Sequence, residues 1–170
     1  MSIKWIGAIL VVLGCGGVGF TMAANYRREE WTLRALVRAL DYMTCELQFR
    51  LTPLPQLCRQ AGRECGTMAG RALTALAEEL ESQTCPDADG CMNAALSRLE
   101  QVPGATVQAL GLLGASLGRF DLEGQLQGLE QVRAHCRREL AALESGRDQR
   151  IRGYQTLGVC AGAALAILFV

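Results

Sequence analysis

The chain has 170 residues, 17 of them basic and 17 acidic, and only 5% are aromatic. A net charge near zero with few stacking side chains argues against nucleic acid as a partner. Half of the residues are apolar, and they concentrate in two uncharged end segments separated by about 130 mixed residues, enough for one domain and hardly two.

The first end segment runs from Ile6 to Ala24, 19 residues without a charge, with Lys4 and Trp5 before it and Tyr26, Arg27 and Arg28 after it. Aromatic and basic residues at both edges suit two water–lipid interfaces, so the expectation is a retained transmembrane helix over residues 1–25. A cleavable signal peptide needs small residues before its cut, and Thr21-Met22-Ala23 is only a fair match. A lipoprotein site at Val12-Leu13-Gly14-Cys15 has a bulky Leu where a small residue is usual, and the apolar run continues past the cysteine.

The same segment contains Gly14-Cys15-Gly16-Gly17-Val18-Gly19, which fits the dinucleotide fingerprint, and Asp41 lies near the distance of a ribose-binding acid. That fingerprint works only in a strand–turn–helix unit, whereas Leu33 to Leu40 is rich in strong helix formers at helical spacing. The glycines read better as a face for close helix approach, pairing Gly17 with Thr21 and Gly19 with Ala23.

Leu33, Leu36, Val37, Leu40, Met43 and Leu47 form the apolar stripe of a helix continuing the first span. Thr52 then offers an N-cap hydroxyl, with Pro53 at the first helical position, where its missing N–H costs nothing, and Pro55 still in the first turn. A short helix is expected over Leu54 to about Glu64, and another from about Met68 to Ser82 carrying Leu73, Leu76 and Leu80. Cys85-Pro86-Asp87-Ala88-Asp89-Gly90 and Pro103-Gly104 have turn composition. Helices around Met92 to Gln101 and Thr106 to Leu117 follow, the second stopping at Gly118 as its C′ residue. No segment reads as a strand.

Asp121 is placed to cap a long final helix, close to its positive dipole end. Leu122, Leu126, Leu129, Cys136, Leu140 and Leu143 form its apolar stripe, interrupted by Arg133. Beyond Arg152 no charged side chain occurs, and Tyr154 to Val170 gives 17 residues, roughly 25 Å of helix and near the lower limit for a membrane span. The expected architecture is therefore all-α: a bundle of five to six helices over residues 26–153, flanked by the N-terminal span and a C-terminal transmembrane helix over residues 154–170.

Eight cysteines occur, with no C-x-x-C pair of a zinc or redox centre. Cys45, Cys58, Cys65 and Cys136 fall at helical positions suited to small apolar residues, so they read as reduced core thiols. His135 is the only histidine; its neighbour Cys136 points about 100° away on a helix, so it reads as a solvated side chain with no nucleophile to serve. No phosphate-binding Gly-Lys-Ser/Thr loop is present, and no catalytic, cofactor or metal residues are identified. Glu78, Glu79 and Glu81, with Asp87 and Asp89, form an acidic cluster, and Arg133, Arg137 and Arg138 a basic one. Both are candidate partner surfaces.

The order of Leu33-Arg34-Ala35-Leu36, Thr52-Pro53-Leu54-Pro55, Leu117-Gly118-Arg119-Phe120-Asp121-Leu122-Glu123-Gly124-Gln125-Leu126 and Leu157-Gly158-Val159 resembles the stage III sporulation protein AB family of endospore-forming bacteria over essentially the full length. That family is similar to the platform protein of type II secretion and type IV pilus machines. The resemblance implies a non-enzymatic membrane component of the sporulation channel, with channel subunits and a secretion-type motor ATPase as partners and with self-association compatible with such a role. Two crossings would put both termini on one side of the membrane. Arg27, Arg28, Arg147, Arg150 and Arg152 border the intervening domain and only Lys4 lies outside it, which orients the domain to the cytoplasm; the resemblance implies that this is the mother-cell side. The alternative is a membrane-bound nucleotide- or thiol-dependent redox enzyme using the Gly14–Gly19 run or the cysteines.

Overall fold

The computed structural model describes the backbone of residues 2–83, 85–118 and 121–169, and the side chains of residues 25–83, 85–118 and 121–146. Six helices and no strand are found among them: α1 (Ser2–Phe49), α2 (Leu54–Cys65), α3 (Met68–Ser82), α4 (Ala88–Ser97), α5 (Gly104–Ser116) and α6 (Leu122–Phe169). The chain divides into two compact units, Met1–Arg27 with Ala141–Val170, and Arg28–Leu140.

The larger unit is built on the stripe of α1. Leu33, Leu36, Leu40, Met43 and Leu47 are all buried, because spacings of three and four residues keep them on one side of a 3.6-residue helix. Leu57 and Cys58 of α2, Leu73 and Leu76 of α3, Met92 of α4, and Leu110 and Leu113 of α5 are buried with them. On α6 the stripe differs from the leucine pattern. Leu129, Val132 and Cys136 are buried, whereas Leu122 is 39% exposed and Leu126, Leu140 and Leu143 are only half-buried.

Two glycines let α2 and α3 meet backbone to backbone. A Cβ on Gly62 would sit 2.5 Å from the Thr74 hydroxyl and 2.7 Å from the Gly70 carbonyl oxygen, closer than any real side chain approaches. Large residues here would force the two helices apart.

The helix ends show which polar groups hold them. α2 starts at Leu54, with Pro53 in the N-cap position and no side-chain cap; Pro55 lies in the first turn. The Thr52 hydroxyl donates instead to Glu46 at 3.0 Å, so its expected capping role is corrected: a carboxylate on α1 takes the proton a cap would have left free. α4 starts at Ala88, four residues earlier than Met92, because the Asp87 carboxylate accepts the Gly90 N–H at 2.9 Å and converts a turn-like sequence into a first helical turn. Gly118, at φ +76°, follows the Leu117 C-cap of α5, where a left-handed backbone suits glycine. The Asp121 carboxylate accepts the Gly124 N–H at 3.0 Å at the head of α6.

No helix among the described residues is long and apolar enough to cross a membrane. The expected spans, Ile6 to Ala24 and Tyr154 to Val170, lie outside the residues whose side chains are described, as do Gly17, Thr21, Gly19 and Ala23.

Candidate docking surface

The basic cluster of α6 separates into one arginine held by the fold and two that face solvent. Arg133 is only 26% exposed and bonds the Asp41 carboxylate of α1 at 2.7 Å. A second guanidinium nitrogen bonds Glu130, one turn away on α6, and Nε is buried without a partner. The Asp41 hydrogen bond is the main reason its pKa is raised further. Arg133 therefore ties α6 to α1 across 92 residues of sequence, and its assignment to a partner interface is corrected.

Arg137 and Arg138 are exposed and make no ion pair among the described residues. Arg38 joins them: it is exposed, one turn from Asp41 on α1, as Arg137 is one turn from Arg133 on α6. Sequence spacing gave no sign of this third cation, because it lies on another helix, far from Arg137 and Arg138 in the chain.

The acidic cluster is thinned by internal pairing. Glu79 is 1% exposed, and one carboxylate oxygen pairs with Arg98 at the end of α4 while the other has no partner. Glu81 is held by Arg59 at 2.6 Å, and Asp87 is spent on the α4 cap. Only Glu78 is left exposed and unpaired on α3. The sequence places these acids within a few residues of one another, but a helix turns successive side chains about 100° apart, so one of them enters the core.

Neither enzyme reading assembles a centre. Residues 33–41, which would have to form the second strand of a dinucleotide unit, are helical within α1, and Asp41 is the partner of Arg133. His135 is half-buried with Nε2 shut away from any partner, a correction to its reading as a solvated side chain. Burial pushes the neighbouring Cys136 thiol up to about 11, away from the thiolate a nucleophile needs. All six described cysteines are free; Cys58, Cys65 and Cys136 are buried as expected, but Cys45 is exposed. Among the described residues no three metal-ligating side chains converge.

The described residues form an all-α helical protein in which Arg133 and Arg98 are spent on the fold while Arg38, Arg137 and Arg138 are left exposed on α1 and α6. The chain belongs to the stage III sporulation protein AB family, whose sequence profile matches residues 4–170. It is 22% identical over 174 residues to stage III sporulation protein AB of Bacillus subtilis (strain 168), covering 99% of each chain. A solved structure of stage III sporulation protein AB matches with a TM-score of 0.62 at 18% identity, over 72% of this chain and 98% of that one. These matches place the chain among sporulation proteins and agree with its helical fold.

Proposed function

We propose that this chain is a non-enzymatic, two-pass membrane platform of the sporulation transenvelope channel, and that its Arg28–Leu140 unit, on the mother-cell side, docks a secretion-type motor ATPase. Exposed Arg38, Arg137 and Arg138 carry the reading, because guanidinium groups without an ion pair among the described residues are available to an acidic partner. The family membership supports the sporulation role. The charge-free end segments, with arginines on the domain side of each, support the two crossings and the orientation.

Reversing Arg137 and Arg138 to glutamate tests docking. ATPase binding should weaken, most at low salt, since exposed charges are screened over about 8 Å at physiological ionic strength. The same change at Arg133 serves as a control, because it sets a carboxylate against Asp41 and should lower stability. Unchanged affinity of the Arg137/Arg138 variant at every salt concentration would move the docking surface elsewhere. Orientation is tested with Cys45, which is exposed, whereas Cys91 is buried: a membrane-impermeant maleimide should leave Cys45 of intact cells unlabelled, and labelling would reverse the topology.

A further inference from the structure

Cys85 and Cys91 stand apart from the other cysteines. Cys85 is half-buried in the connection between α3 and α4, and Cys91 is buried in α4. The Cys91 thiol points back at the Cys85 carbonyl oxygen, 3.9 Å away. A Cβ placed on Gly90 would sit 3.1 Å from the Cys85 Cβ and 3.5 Å from its sulfur, so the Cys85 side chain is folded over the backbone immediately before Cys91. The Asp87 carboxylate, bonded to the Gly90 N–H at 2.9 Å, holds the intervening turn in that shape. A disulfide between Cys85 and Cys91 would bring their Cβ atoms to about 3.5–4.5 Å across this turn. Both cysteines also line one cleft of about 460 Å³, with Leu54, Leu80, Ala88 and Gly118 on its walls.

We infer that Cys85 and Cys91 form a thiol–disulfide exchange site that takes a low-molecular-weight disulfide from the cleft and closes to an intramolecular disulfide across the start of α4. The more accessible Cys85 reacts first. Its thiolate attacks one sulfur of the small disulfide, that S–S bond breaks, and the departing thiolate takes up the proton Cys85 released. Cys91 is held as a thiol by burial, and it loses its proton to solvent as it attacks the Cys85 sulfur of the mixed disulfide. The Cys85–Cys91 bond forms and the second small thiolate leaves to be protonated. Two protein thiols are oxidised, and one small disulfide is reduced to two thiols.

The test exposes the full chain in detergent to oxidised glutathione, blocks remaining thiols with iodoacetamide and digests with trypsin. Cleavage after Arg71 and Arg98 yields one peptide, Ala72 to Arg98, holding Cys85 and Cys91 and no other cysteine. It should lose two hydrogens and carry no alkyl group. Exposed Cys45 should acquire glutathione in the same sample. In Cys91→Ala the peptide should retain one glutathione on Cys85, and in Cys85→Ala it should carry none on Cys91. The cross-link should form about tenfold faster in the folded chain than in urea, since folding holds the sulfurs together. A doubly alkylated peptide in a sample whose Cys45 is modified, or a rate no faster folded than unfolded, would overturn the assignment; both are read on the parent chain, so neither depends on a variant folding.

Discussion

Removing the Arg98 side chain is expected to be the most damaging single change to a largely exposed residue described here. Arg98 is 62% exposed, yet it partners Glu79, whose side chain is 1% exposed and whose second oxygen already has no donor. Arg98→Ala would leave that carboxylate buried with neither oxygen bonded. Breaking one half of a buried pair costs about 3–5 kcal/mol. The lower end applies, because deleting an exposed arginine lets water approach the oxygen it covered. A loss of about 3 kcal/mol corresponds to roughly 12 °C in Tm for a domain of this size, read by far-UV circular dichroism in detergent. Glu79→Gln removes the charge while keeping an acceptor for Arg98, and should cost no more than about 1 kcal/mol. The double variant Glu79→Leu with Arg98→Ala should recover most of the loss, since an apolar side chain needs no partner in that position. If Arg98→Ala melted within about 0.5 kcal/mol of the parent, the size expected of an unremarkable surface change, the buried unpaired carboxylate would be refuted.

Gly70→Ala should lower stability by about 1–3 kcal/mol, because its new Cβ would press on the Gly62 carbonyl; Gly111→Ala, which meets nothing within 4 Å, should raise it by up to about 1 kcal/mol, and equal melts would remove the close contact of α2 with α3. Asp121→Ala should cost about 1 kcal/mol through the lost cap of α6, and an unchanged urea midpoint would deny it. Burial pushes the Cys58 thiol from an ordinary 9.0 up to about 12 and Cys136 up to about 11. The folded state thus keeps protons the unfolded chain gives up. That stabilisation is whole below about pH 9 and is lost as pH rises toward 12, by up to about 1.4 kcal/mol per pH unit for each thiol. Cys58→Ala should make the alkaline decline shallower, and a slope identical to the parent's would show that Cys58 titrates alike folded and unfolded.

The helices were legible where local signals agreed. Met68 to Ser82 carries apolar residues at helical spacing between two breaks, and α3 occupies that stretch. Agreement failed where one residue serves two local structures. Asp87 followed by Asp89-Gly90 has the composition of a turn, but a carboxylate that accepts an N–H three residues on is also a helix cap, and only the residues beyond it decide which forms. Thr52 shows a related shift: Pro53, not Thr52, takes the N-cap position of α2, so the Thr52 hydroxyl lies one residue outside the helix and donates to Glu46 on the preceding helix at 3.0 Å. On α6, counting leucines gave too much weight to Leu122 and Leu140 and missed Val132, which is buried between Leu129 and Cys136 on the same helical stripe.

The candidate surface was less legible than the fold, and the reason is the range over which charges find partners. An i,i+3 pair such as Arg133 with Glu130 can be read from spacing, but Asp41 reaches the same guanidinium from 92 residues away. Three arginines on one charged helix stretch look equivalent in sequence. Packing makes one of them a strut and leaves two in water, and it brings Arg38 into consideration from another helix. The acids divide in the same manner, since Glu79 is buried beside Arg98 and Glu81 is held by Arg59, while Glu78, the residue before Glu79, stays exposed and unpaired. A charge cluster in a sequence is thus an upper bound on what a partner can meet. What is left after internal pairing therefore differs from what the sequence groups together: among the described residues Arg38, Arg137 and Arg138 are exposed without an ion pair, and of the three acids of α3 only Glu78 is both exposed and unpaired.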